Sequence, residues 1–285
     1  MKIRNHKLEG VEFQKARWTG GIITPEIVIL HDTAGPLTKG SSAAYLRDND
    51  VGVSVHFIIE RDGTIIQQVP TNRRAGHAGR SSYHGRADCN AFSIGIEIVN
   101  PGKMSIVPGA EPGEYGRAWW GHVFADGDEH DLEVLATPEH GSGVWMHYAS
   151  EQIAALAQLL EALFRDIPTL TDVTTHWYVS PGRKVDTNPL FPLEQISAKV
   201  LGHHDPATAA EDASAEVTGM VMVRAASGLN LRRWPSFNPN VILSIPDGAV
   251  VPVLRRGEFE GRDWLCVVYA GQEGWIVKAY TKPAD

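Results

Sequence analysis

Apolar and polar positions change period several times along the chain, and each change marks an element. EIVILHDTAG (26–35) is a continuous apolar run that closes on His31 and gives way to small residues. That pattern predicts a buried strand followed by a loop. SSAAYLRD (41–48) suits a short helix with Ser41 or Ser42 near its N-cap. VSVHFIIERDGTIIQQVP (53–70) carries two β-branched runs around Arg61-Asp62-Gly63, a strong hairpin turn signal. FSIGIEIVN (92–100) predicts another buried strand, with one charge, Glu97, inside it. SEQIAALAQLLEALFRDI (150–167) has helical apolar spacing, and Ser150 is its expected N-cap.

Two stretches lack such periods. Residues 101–147 are rich in Gly, Pro, His and acidic residues, and are expected to form a long surface excursion that could carry short strands. Its His122, His130, His140 and His147 are expected to be solvated, and Trp119-Trp120 to cover the core or stack on a sugar. GHHDPATAAEDASAEVTG (202–219) is small, polar and Ala-rich, as linkers are. Beyond it, MVMVRA, LNLRR, AVVPVLRR, WLCVVY and GWIVKAY are short strands spaced by turns, the signature of a small all-β barrel. The expected class is therefore α/β up to about residue 202, followed by a β-domain. The expected division is 1–202 with an insertion at about 101–147, a linker at 203–218, and a second domain at 219–285.

Composition narrows the function classes. A net charge of −8 on 285 residues argues against general nucleic-acid binding, which needs a positive field. No apolar run reaches membrane-spanning length. MKIRNHKLEGVEF has no apolar core of signal-peptide length, so synthesis in the cytoplasm is expected, and any export would need a route the sequence does not show. Cys89 and Cys266 are too few and too far apart for a cysteine zinc cluster or a disulfide scaffold.

The twelve histidines matter more, because imidazole is the commonest zinc ligand. THWYVSPGRKVDTNP (175–189) ties His176, Lys184 and Asp186 together around a Pro-Gly turn, and His31 ends a predicted strand. Two imidazoles and one carboxylate would make a three-ligand zinc site with a fourth position open to water, whose pKa falls to about 7 there. A carboxylate such as Glu97 could manage the proton, and a cation such as Lys184 could stabilise an oxyanion. Spacing alone leaves the choice open. Twelve histidines allow many triads, His31 could simply close a strand, Glu97 could pair with an arginine, and Lys184 could be surface charge.

Five blocks decide between these readings: HDTAG (31–35), VSVHFIIERDG (53–63), AGHAG (75–79), CNAFSIGIEIVN (89–100) and HWYVSPGRKVD (176–186). In this order they resemble the type 2 N-acetylmuramoyl-L-alanine amidases, a family that includes phage lysozyme-like amidases, cytosolic recycling amidases and peptidoglycan recognition proteins. The resemblance covers about residues 25–192. It implies a mixed central β-sheet flanked by helices and one catalytic zinc. It places the ligands on His31, His176 and Asp186, and makes Glu97 and Lys184 the catalytic helpers. It implies hydrolysis of the amide between N-acetylmuramic acid and L-alanine, with peptidoglycan or muropeptides as partner. His56, His77 and Asn90 are the candidate substrate contacts; His56 could be a groove-wall or a core histidine, and His77 and Asn90 could equally serve only to order their loops. The family often has Pro-Gly-Pro after the aspartate ligand, whereas this chain reads Thr187-Asn188-Pro189.

LNLRRWPS, the Pro-Asp-Gly turn at 246–248, the Trp264 strand and Gly274-Trp275 make residues 219–281 resemble a bacterial SH3-type domain. Such a domain implies wall binding, with Trp234, Phe237, Trp264 and Tyr280 as candidate contacts, although Trp264 and Trp275 also suit a barrel core. The expected roles are an endolysin or wall-remodelling amidase, a cytosolic muropeptide-recycling amidase, or a non-catalytic peptidoglycan-binding recognition protein.

Overall fold

The computed structural model describes residues 1–127, 129–201, 219–232, 237, 241–259 and 262–284. The described chain divides into two compact units, one built almost entirely from residues before 204 and one from residues after it. The expected linker, 203–218, lies outside the described residues, as does Trp234.

The first unit is built on a six-stranded mixed sheet. Its strands are β1 (Glu12–Phe13), β2 (Ile27–Asp32), β3 (Phe57–Ile59), β4 (Ile65–Gln67), β5 (Ser93–Ile98) and β6 (Asp172–Thr175), in the order β6-β2-β5-β3-β4-β1. β2 runs parallel to both β5 and β6, β3 runs parallel to β5, and the β3–β4 hairpin is antiparallel. The hairpin turns at Arg61-Asp62-Gly63, with Gly63 at φ 79°, a left-handed conformation that glycine adopts without penalty.

Alternation sorts the side chains. Val28, Leu30, Ile94, Ile96, Ile98, Phe57, Ile59 and Val173 share one core with Leu156, Leu159, Leu160 and Leu163 of helix α2 (Ser150–Asp166). Each such leucine contributes about 1.5–3 kcal/mol through burial. On the other face, Ile58 and Ile66 pack with Ala43 and Leu46 of helix α1 (Ser41–Arg47). His31 and Glu97 lie one step off the Leu30–Ile96 pair in the same parallel register, so they sit side by side.

The helix starts differ from expectation by one residue each. Gly40, at φ 80°, is the cap of α1, and no side chain caps it; Ser41 is already in the first turn. Ala149 is the cap of α2, with Ser150 inside, and Gln152 Oε1 accepts from the Ala149 N–H at 3.1 Å. The glutamine three residues in thus reaches back and satisfies the cap residue's own N–H, the half of a capping box that does not need a serine at the cap.

The 101–147 segment contains the short strands expected of it, and in addition a core. It forms a three-stranded antiparallel sheet (Ser105–Ile106, Tyr115–Arg117, Val123–Ala125) and a hairpin (Leu132–Thr137 with Gly141–Met146). Met104, Ala118, Phe124, Leu132, Val144 and Met146 give it a core of its own, against which Trp120 packs. Trp119 remains 77% exposed, with its indole N–H donating to Ala34 O at 2.7 Å. His140 is buried instead of solvated, because its Nε2 meets Thr187 O at 2.9 Å and its Nδ1 meets Thr137 Oγ1 at 2.7 Å.

The second unit is a seven-stranded antiparallel sheet with a core of Val221, Val223, Leu231, Val251, Val253, Leu265, Val267 and Ile276. Trp264 is buried, as a core residue would be, and Trp275 is half-buried; Phe237 and Tyr280 are exposed. No helix of the described residues is long and apolar enough to cross a membrane.

Candidate metal and catalytic site

Parallel topology builds the site. β2, β5 and β6 all point the same way, so their C-terminal ends share one edge of the sheet. His31 lies near the end of β2, Glu97 lies beside it on β5, and His176 follows β6 directly, opening the short helix α3 (His176–Val179). This is the edge where open α/β sheets place their ligands. The turn after α3 returns the chain, with Trp177 N–H donating to Asp186 O at 2.7 Å. The Asp186–Thr187 peptide is cis.

Three donors converge there. His31 Nδ1 and His176 Nδ1 are 2.9 Å apart, His176 Nδ1 is 2.9 Å from Asp186 Oδ2, and His31 Nδ1 is 3.4 Å from the same oxygen. Among the described residues, these three form the one group of His, Cys, Asp or Glu donors compact enough to hold a metal ion. Burial, then the neighbouring His176, push the His31 imidazole down to about 4. It is therefore neutral at pH 7, as a metal ligand must be. Burial opposes ionisation of Asp186, but the charges and hydrogen bonds of His176 and His31 outweigh it and hold the carboxyl below its usual range. The donor set fits a dication: neutral imidazole nitrogens and an ionised carboxylate oxygen face one centre, the set used by zinc with one position left open.

Glu97 is 9% exposed, and its Oε2 has no hydrogen-bond partner. Burial first, then the charges of Asp186 and Asp32, raise it well above the usual carboxylate range, while Lys184 acts in the opposite sense. Lys184 is half-buried, and its charge is felt at both His31 and Glu97. A buried carboxyl without a partner beside a nearby cation is an arrangement that favours function over stability.

Each of the three candidate substrate contacts is hydrogen-bonded within the protein itself. His56 is fully buried; its Nδ1 accepts from the Gly95 N–H at 3.0 Å and its Nε2 meets Arg73 O at 2.8 Å. It clips β3 to β5, and neither ring nitrogen is left for a substrate. His77 is buried behind His31, its Nδ1 2.9 Å from His31 Nε2 and its Nε2 3.2 Å from Ser93 Oγ. Asn90 Oδ1 accepts from the N–H groups of His77 and Ala78, fixing the loop that carries His77.

Sequence reasoning passed over a second layer. Asp32 is buried and pushed up to about 8, chiefly by desolvation. Its Oδ1 accepts from Tyr148 Oη at 2.5 Å and its Oδ2 from the Asn188 N–H at 2.9 Å. Asn188 Nδ2 donates to Met146 O, and so does Asn100 Nδ2. The turn after Asp186 is thus tied to β2, to Met146 and, through Asn188 Nδ2 donating to Asn100 Oδ1 at 3.3 Å, to the residue just before the 101–147 segment. The signal was present in the sequence: a second charge, Asp32, directly after His31 in an apolar run.

The family model described as N-acetylmuramoyl-L-alanine amidase matches residues 23–189, more than half of the chain. The chain belongs to this amidase family. The 1,6-anhydro-N-acetylmuramyl-L-alanine amidase AmpD of Salmonella typhimurium is 32% identical over 158 residues, covering 55% of this chain and 62% of that protein. The N-acetylmuramoyl-L-alanine amidase AmiD of Escherichia coli K12 is 26% identical over 187 residues, covering 62% of this chain and 54% of that protein. The matches thus span less than two thirds of these relatives' lengths. Among solved structures, a selenomethionine AmpD derivative aligns with a TM-score of 0.49 at 24% identity, covering 70% of this chain and 99% of that one.

Proposed function

We propose that this chain is a zinc-dependent amidase that hydrolyses the bond between the lactyl carbonyl of N-acetylmuramic acid and the amine of L-alanine. The observation that carries the reading is the convergence of His31 Nδ1, His176 Nδ1 and Asp186 Oδ2 beside the unpartnered carboxyl of Glu97. His31, His176 and Asp186 would hold a zinc ion, which when bound would supply Lewis acidity toward water and the scissile carbonyl. With the positive charge of a bound metal nearby to favour its ionised form, Glu97 would take up the attacking water's proton at Oε2 and deliver it to the departing alanine amine. Lys184 stabilises the negative charge that develops on the carbonyl oxygen. Asp32, Tyr148 and Asn188 hold the Asp186 turn against β2, so that the third ligand keeps its place.

The chain then divides by role: residues 1–202 carry the chemistry and residues 219–285 form an SH3-type wall-binding module. The seven-stranded antiparallel unit with its exposed Phe237 and Tyr280 supports the second assignment. Such a module raises the local concentration of the catalytic unit on a polymer. The AmpD relatives, whose name specifies a 1,6-anhydro substrate, favour a soluble muropeptide; the appended β-unit favours the polymeric wall. Comparing turnover of purified sacculi with that of an anhydro-muropeptide decides which substrate is preferred. The reaction itself is tested by mass spectrometry: wild type releases a peptide with a free L-alanine amine and an intact saccharide, and Asp186→Ala releases none. Undiminished cleavage by Asp186→Ala overturns the proposal.

A further inference from the structure

A hydrogen-bonded chain leads away from the first ligand and ends on a group that can only accept. His31 Nε2 is 2.9 Å from His77 Nδ1, His77 Nε2 is 3.2 Å from Ser93 Oγ, and Ser93 Oγ is 2.6 Å from Cys89 O. A carbonyl oxygen has no proton to give, so the single Ser93 hydroxyl proton points at Cys89 O. Ser93 Oγ therefore meets His77 with a lone pair, and His77 Nε2 must carry the proton. The His77 ring is buried, and its two nitrogens meet His31 Nε2 and Ser93 Oγ, neither of them a carboxylate that would hold a second proton on the ring. The ring's one proton is therefore committed to Nε2. Its Nδ1 is then an acceptor, and the proton between the two rings belongs to His31 Nε2.

We propose that His77 and Ser93 are positioning residues that lock His31 into the Nε2–H tautomer, leaving the Nδ1 lone pair aimed at the metal centre. The inference rests on reading the three-donor cluster as a metal site. It also accounts for Gly95: a Cβ there would lie 2.5–2.8 Å from three atoms of the His77 ring, so only glycine lets the ring lie flat on β5. No such one-way chain exists at His176. Its Nε2 has both an acceptor, Ala78 O at 3.2 Å, and a donor, Arg183 Nη2 at 3.3 Å, within reach. The direction of the lone pair at His31 is thus built into the fold before a metal arrives, whereas at His176 it is not.

The test has two parts. Long-range 1H–15N NMR of the metal-free protein at neutral pH reads the tautomer directly; the proton is expected on His31 Nε2, and a proton on Nδ1 overturns the proposal. Zinc affinity is then measured by competition with a chromophoric chelator. His77→Leu, which removes the acceptor, should weaken zinc binding about 10- to 100-fold, the usual cost of losing an outer partner of a ligand histidine. His77→Asn returns an acceptor near the Nδ1 position and should restore most of that loss, which a merely space-filling role would not. Wild-type affinity in His77→Leu overturns the relay. A wild-type protein that binds no zinc overturns the metal reading instead, and the NMR result still decides the tautomer.

Discussion

Glu97→Gln separates chemistry from architecture. The substitution keeps the shape of the side chain and removes its ability to take up a proton. The carboxyl is 9% exposed, one oxygen has no partner, and burial together with Asp186 and Asp32 disfavours its charged form. Losing a positioned general base costs about 10²–10⁴ in rate, or about 3–5 kcal/mol of barrier. The fold should not suffer, because a neutral amide replaces a carboxyl whose charged form burial already disfavours. Zinc content should stay at the wild-type level, since Glu97 is not among the three converging donors. The assay is single-turnover release of stem peptide from a purified muropeptide, run beside a thermal melt and a metal determination on the same preparation. The expected signature is a rate lower by at least about a hundredfold, with unchanged zinc and a melting temperature equal to or above wild type. Full activity in Glu97→Gln refutes the assignment. A loss of zinc in step with activity refutes the reasoning that places Glu97 outside the ligand set.

Gly95→Ala should push the His77 ring off β5, at an overpacking cost of about 1–3 kcal/mol seen in urea melts; an unchanged midpoint contradicts the close approach. His56 is neutral in the fold, its buried imidazole pushed down to about 4 from an ordinary 6.5. Its contribution is fully present above pH 6.5 and is lost as pH falls toward 4, because the unfolded chain binds the proton first. The shift corresponds to about 3 kcal/mol across that window. His56→Gln, which cannot titrate, should flatten the stability–pH curve between pH 6.5 and 4, and a curve as steep as wild type sinks the account.

Element positions were largely legible because their causes are local. The apolar run before His31, the Asp-Gly turn and the helical spacing of 150–167 each predict one element, and each is present. Neighbour relations were not legible. Nothing in IVILHD or SIGIEI states that the two strands lie parallel with His31 beside Glu97, since the pattern fixes which face a residue takes but not which strand lies next to it. The resemblance to the amidases supplied that juxtaposition. His56, His77 and Asn90 show the limit of a sequence pattern from the other side. A histidine that contacts substrate and one that clips two strands carry the same letter, and the difference is the backbone group opposite, here Gly95 N and Arg73 O for His56. In 101–147 the polar composition concealed a core assembled from six apolar residues scattered through Gly, Pro and charge. The serines at 41 and 150 were misleading because a left-handed glycine and a back-reaching glutamine serve those helix ends instead.

The central claim is that His31, His176 and Asp186 hold one catalytic zinc. The most direct test is metal content by mass spectrometry on the purified chain, titrated with a chelator while release of free-amine L-alanine peptide is followed on the same samples. The account predicts about one zinc per chain and activity that falls in proportion to bound metal and returns on adding zinc. Full peptide release from protein stripped of metal contradicts it.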